Sequence, residues 1–128
     1  MSAWRRNAQT QFPQHAGQLE RWSLIDWSVE LRRELVEAVA RSDDTGLRRV
    51  FGYLTWCWSQ RHTDEQFVHF VADVLRPVLR RSEDRADLFA RLDGRTFAAM
   101  GEIFRSVCGE EQASGFEQEF HLQRRASG

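Results

Sequence analysis

Apolar residues recur along this chain at the spacing of helices, and no segment shows a convincing strand alternation. The densest block is Val50-Phe51-Gly52-Tyr53-Leu54-Thr55-Trp56-Cys57-Trp58. In a helix over residues 46–61, Leu47, Val50, Phe51, Leu54 and Trp58 share one face. Trp56 stands two residues from Trp58, a rotation of about 200°, so one core-facing stripe cannot bury both rings. Trp56 must meet a second layer of the same chain, a second subunit or a binding partner. Packing inside the bundle is the simplest of these.

The preceding helix spans residues 23–41. Ser23 and Asp26 have capping-box spacing. Leu24, Trp27, Leu31, Leu35, Ala38 and Val39 form its main apolar face. A second stripe of Trp22, Ile25, Val29 and Val36 lies roughly 120° around, which predicts a central helix with neighbours on two sides. Its remaining sector is acidic, with Asp26, Glu30, Glu34 and Glu37, among which Arg33 and Arg41 can form ion pairs.

Residues 42–46, Ser-Asp-Asp-Thr-Gly, form a turn and cap cluster. Thr63 and Gln66 predict a further helix start, followed by the face Phe67, Phe70, Val71, Val74, Leu75 and Val78. Pro77 predicts that regular helix stops near Arg76 or continues only after a kink. Ser82-Glu83-Asp84 opens a fourth helix that Gly94 ends, and a fifth covers residues 95–107. Residues 1–20, rich in Gln and interrupted by Pro13 and Gly17, predict a flexible arm, although Trp4 and Phe12 are able to dock. Residues 108–128 predict a polar tail, in which Phe116 and Phe120 at i, i+4 allow a short docked helix. The expectation is an all-α, five- or six-helix orthogonal or irregular bundle over residues 21–107.

Composition changes this picture little. The 128 residues suit one domain, and five Trp among 12% aromatics supply much of the core. A net charge of −1 argues against nucleic-acid binding, and acids punctuate the chain between the pairs Arg48-Arg49, Arg80-Arg81 and Arg124-Arg125. All 18 basic residues are Arg, which reads first as codon bias of a GC-rich bacterial genome. Two cysteines make no disulfide framework, and no apolar run resembles a membrane span or signal segment, so a cytoplasmic protein is expected.

No catalytic motif stands out. Glu65, His69 and Asp73 line up at i, i+4, i+8 on the polar face of their helix, where weak ion pairing is a better reading than metal ligation. His62, at a helix junction, lacks a partner nucleophile, and neither Cys57 nor Cys108 sits in a recognised thiol signature. No metal or cofactor is expected.

The stretches 42–53 (Ser-Asp-Asp-Thr-Gly-Leu-Arg-Arg-Val-Phe-Gly-Tyr), 67–75 (Phe-Val-His-Phe-Val-Ala-Asp-Val-Leu) and 92–97 (Leu-Asp-Gly-Arg-Thr-Phe) carry a resemblance. Across residues 29–107, about two thirds of the chain, the arrangement is similar to a small bacterial all-helical family of unassigned function. Members of that family occur near polymorphic-toxin immunity genes. The resemblance implies a cytoplasmic helical protein that neutralises a toxin or binds another protein, and it transfers no catalytic residue.

The expected function is therefore protein binding through an acidic and aromatic surface of Asp26, Glu30, Glu34, Glu37 and Trp56. A homodimer burying Trp56 and the second stripe is one alternative. A small ligand-binding or enzymatic bundle using His62 or His69 is the other.

Overall fold

The computed structural model describes residues 2–127, with side chains to Arg125, and is all-helical. Helices α1 (Ala3–Gln11), α2 (Ala16–Leu19), α3 (Leu24–Ala40), α4 (Asp44–Ser59), α5 (Gln66–Arg80), α6 (Ser82–Arg91), α7 (Gly94–Ala99), α8 (Gly101–Cys108) and α9 (Glu110–Ser127) follow in order, with a 3-10 turn over Pro13–His15. The count among the described residues is nine α-helices rather than five or six. Three local events account for the difference.

The first is the N-terminal segment. The flexible arm that composition predicts is, in the structure, helical and packed: Trp4, Ala8, Phe12 and Leu19 are all buried. Trp4, Ala8 and Phe12 recur every four residues, an apolar seam that the surrounding Gln residues obscure. Phe12 lies edge-on to Trp27 at 5.2 Å and to Tyr53 at 5.9 Å. Arg5 Nη1 donates to the carbonyls of Leu19 and Trp22, so the segment's own backbone is tied at both ends.

The second event is a break at Met100, which divides the expected 95–107 helix into α7 and α8. The Met100 N–H reaches the Thr96 and Phe97 carbonyls at 3.1 and 3.2 Å, the tightened closing turn of a helix end. Its side chain is fully buried. Asp93, not Gly94 acting as a terminator, defines this junction: its carboxylate accepts from the Thr96 N–H and starts α7.

The third is the C-terminal segment, which forms α9 and packs on α6 and α8. Phe116 and Phe120 are buried, and Phe120 stacks on Phe97 at 4.2 Å with the rings nearly parallel. Arg85 holds Glu119 with two hydrogen bonds of 3.0 Å, a bidentate pairing that fixes α9 against α6.

Helix α5 runs through Pro77 to Arg80 instead of stopping near Arg76. Proline has no N–H for the Asp73 carbonyl one turn earlier. Arg32 Nη1 from α3 approaches that carbonyl at 3.4 Å and supplies a donor. Elsewhere the local signals hold. Ser23 and Asp26 form a full capping box, and Asp43 caps α4 through the Gly46 N–H at 2.9 Å. At the start of α5 the expected Thr63 cap is replaced by Asp64, whose Oδ1 accepts from the Gln66 N–H, while the Thr63 hydroxyl donates back to the Gln60 carbonyl.

Helix α3 packs mainly on α5 and α4, with α6 touching its C-terminal part. All three neighbours meet its main apolar face or its edges. The second stripe stays uncovered: Ile25, Val29 and Val36 are 74%, 45% and 52% exposed. Of that stripe only Trp22 is drawn in, stacking on Trp27 at 6.4 Å. The prediction of neighbours on both sides of this helix is therefore corrected, and one apolar side faces outward.

Candidate functional site

The outer side of α3 is the principal surface feature. Ile25, Val29, Val36 and Ala40 fall within a sector of about 60°, and from Ile25 to Val36 they extend about 17 Å along the helix. A hollow lies on the α3–α5 seam towards each end of the stripe. One is lined by Leu24, Ile25, Ser28, Gln66, His69, Phe70 and Asp73, the other by Val36, Val39, Ala40, Pro77, Val78, Asp84 and Asp87. The contact between Arg32 and the Asp73 carbonyl lies between them. Each hollow holds about 240 Å³, below the roughly 300–1,000 Å³ of small-molecule pockets.

Charge around this surface is mostly negative, with Arg32, held at the Asp73 carbonyl, as a cation between the hollows. Glu37, Asp73, Asp84 and Asp87 have no ion-pair partner among the described residues, whereas Arg33 is engaged with Glu30 at 3.2 Å. The surface thus joins an apolar stripe to acids on both flanks, Asp26 and Glu37 on one and Asp73, Asp84 and Asp87 on the other. Water-facing Val and Ile side chains in a row are costly to leave bare and favourable to cover.

The structure separates the five residues expected to form one acidic and aromatic surface. Asp26 is exposed and closes the α3 capping box, its Oδ2 accepting from the Ser23 N–H at 3.0 Å. Glu37 is exposed. Glu30 and Glu34 are half-buried because they turn towards His15, delivered by the 3-10 turn of the packed N-terminal segment. Trp56 is half-buried on α4, edge-on to Phe67 at 6.3 Å and tilted on Tyr53 at 6.0 Å. Its second layer is provided by α5, not by the outer stripe of α3. Trp58, the other member of the pair, is 9% exposed and lies under the Arg61 guanidinium at 4.3 Å.

His62 and His69 are both exposed. Glu65, His69 and Asp73 do not converge, and no ion pair joins His69 to Asp73 among the described residues. Burial pushes the Cys57 thiol up to about 12, which keeps it protonated and unreactive. Burial also raises Cys108, against the nearby Arg76 and Arg85 charges. Neither thiol has the lowered pKa of a nucleophile.

Sequence reasoning passed over His15, whose signal lay in a segment without a clear apolar pattern. It did single out Ile25, Val29 and Val36, but assigned them a neighbour that the fold does not supply.

No family model, no curated protein and no solved structure matches this chain. Among the described residues no helix is long and apolar enough to cross a membrane.

Proposed function

We propose that this protein acts by binding another protein through the outer face of α3. The observation that carries this reading is the row of exposed Ile25, Val29 and Val36 on an otherwise well-packed helix. The partner element that fits is an amphipathic helix with an apolar face and a basic border. Its apolar side chains cover the stripe and enter the two seam hollows, while its cations meet Glu37, Asp73, Asp84 and Asp87. A second copy of this chain fits less well, because self-pairing sets the same acids against each other. The sharpest form of the proposal is an immunity-like role in which this surface covers a toxin partner.

The test is a bacterial two-hybrid screen for partners, repeated with Val29→Asp and Val36→Asp, alongside sedimentation of the purified chain. The expected result is a monomer and a partner lost in both variants. A partner retained by both variants, or a dimer that Val29→Asp dissociates, would replace this reading.

A further inference from the structure

A different sector of α3, about 120° around from the exposed stripe, holds three groups that converge. His15 Nε2 lies 2.6 Å from Glu34 Oε1 and 3.9 Å from Glu30 Oε1. One ligand atom from each of the three lies within 4.8 Å of the others. We infer that His15, Glu30 and Glu34 form a site for a divalent transition metal, with zinc as the best match, that staples the N-terminal segment to α3.

Glu30 and Glu34 supply the charge of the cluster. At i, i+4 they face the same way, and like charges at this spacing repel. Here they are also half-buried, with 18% and 26% of their side chains exposed, so water screens them less than on an open helix. Arg33 meets Glu30 only from the solvent side, with its own side chain 63% exposed, and one imidazole balances at most one further charge. A dication with neutral His15 balances both, and imidazole with carboxylates is a donor set that zinc accepts.

Geometry agrees. With bond lengths of about 2.0–2.1 Å, two ligands on tetrahedral zinc stand about 3.3 Å apart. The observed 2.6 and 3.9 Å bracket that value, and the Glu30 and Glu34 oxygens, within 4.8 Å of each other, need to close by at most about 1.5 Å of side-chain movement.

The surroundings orient the ligands. Trp22 and Trp27 pack on the His15 ring at 5.9 and 6.0 Å, restricting its rotation. Glu30 divides its oxygens: Oε2 takes Arg33 Nη1 at 3.2 Å, and Oε1 is left facing His15. The Gln14 amide reaches Glu34 Oε1 at 3.5 Å and stands close enough to offer its own oxygen as a further ligand after rotation. The fourth tetrahedral position falls to that Gln14 oxygen or to water. Because residue 15 and residues 30 and 34 lie on separate elements, the ion would close a loop of the chain, and binding would stabilise the docked N-terminal segment.

The test is isothermal titration of the full chain with zinc chloride, paired with thermal unfolding with and without zinc. The expected result is one zinc per chain and a raised Tm. Both effects should vanish in His15→Ala and weaken strongly in Glu30→Gln and Glu34→Gln, and both should persist in His62→Ala and His69→Ala. Far-UV circular dichroism checks that each variant is folded. If His15→Ala fails to fold, the two Glu→Gln variants decide, since an amide preserves shape and hydrogen bonding to His15 while removing the charge. Absence of zinc heat with the unaltered chain would reduce the cluster to a His–Glu pair only and overturn the inference. Undiminished binding in folded Glu30→Gln and Glu34→Gln would place the ion elsewhere and also overturn it. Neither outcome bears on the α3 stripe.

Discussion

The Tyr53 hydroxyl donates to the Trp4 carbonyl oxygen at 3.0 Å inside the core, joining α4 to the first helix of the chain. Burial raises the Tyr53 pKa far above its ordinary value, so the group remains a neutral donor throughout the range in which the protein is handled. Tyr53→Phe should cost about 0.5–1.5 kcal/mol, because the Trp4 carbonyl loses a partner. Phe12→Ala should cost more, about 3–5 kcal/mol, since Phe12 packs between Trp27 and Tyr53. Urea unfolding of the two variants checks both. A negligible effect of Phe12→Ala would mean that the N-terminal segment is not part of the cooperative core.

That segment also shows where reading the sequence succeeded and where it stopped. Capping chemistry at Ser23 and Asp43 is local, so the residue types alone marked the starts of α3 and α4, whereas the boundary at Asp93 is signalled in the sequence by Gly94 as a terminator and not by the aspartate cap. The i, i+4 pair Phe116 and Phe120 similarly signalled a docked C-terminal helix. Three features needed the packed molecule. Pro77 stays inside α5 because Arg32, distant in sequence, provides a donor for the Asp73 carbonyl. His15 meets Glu30 and Glu34 only because α1 packs on α4 and carries the following 3-10 turn to α3. Trp56 finds its second layer in Tyr53 and Phe67, while the second stripe of α3 faces outward. Periodicity fixes which residues share a face, but it does not name the face's neighbour.

Ser42 occupies the left-handed region with φ 54°, directly after α3. The Asp43 N–H returns to the Ala38 carbonyl at 2.9 Å and the Ser42 N–H to Val39 at 3.2 Å, a Schellman-like ending that favours glycine at this place. Ser42→Gly should therefore stabilise the protein by about 0.5–1 kcal/mol: relief of left-handed strain outweighs the added freedom of the unfolded chain. Thermal unfolding measures it. A lower Tm would show that the serine side chain contributes more than its backbone costs.

Asp93 gives a pH dependence with a definite sign. The Thr96 N–H, donating at 2.7 Å, holds its pKa below the ordinary 3.8, aided by the Thr96 hydroxyl and the Arg124 and Arg48 charges and opposed by slight burial. A depressed carboxylate adds stability above its unfolded pKa and loses it as pH falls through the folded value. Asp93→Ala should cost about 1 kcal/mol at neutral pH, the worth of a helix cap, and this gap should close only well below pH 3.8. Denaturant titrations of both proteins at neutral and strongly acidic pH test this. An unchanged gap in acid would assign the loss to something other than the ionised cap.

The two thiols should separate by accessibility. Cys57 is fully buried with its pKa pushed up to about 12, whereas Cys108 is half-buried with a smaller upward shift. A thiol-reactive dye at mildly alkaline pH should modify Cys108 in the native chain and Cys57 only after unfolding. Mass spectrometry of the labelled peptides locates the modification. Rapid native labelling of Cys57 would contradict the packing of α4.

The central claim concerns the outer face of α3, and a photo-reactive benzoylphenylalanine placed at Val29 tests it most directly. Irradiation in cells should yield an adduct with a different protein, mapped to an amphipathic segment with basic borders. The same probe at exposed Gly52 on α4 should yield none. An adduct only with a second copy of this chain, or no adduct at Val29 at all, would contradict the account.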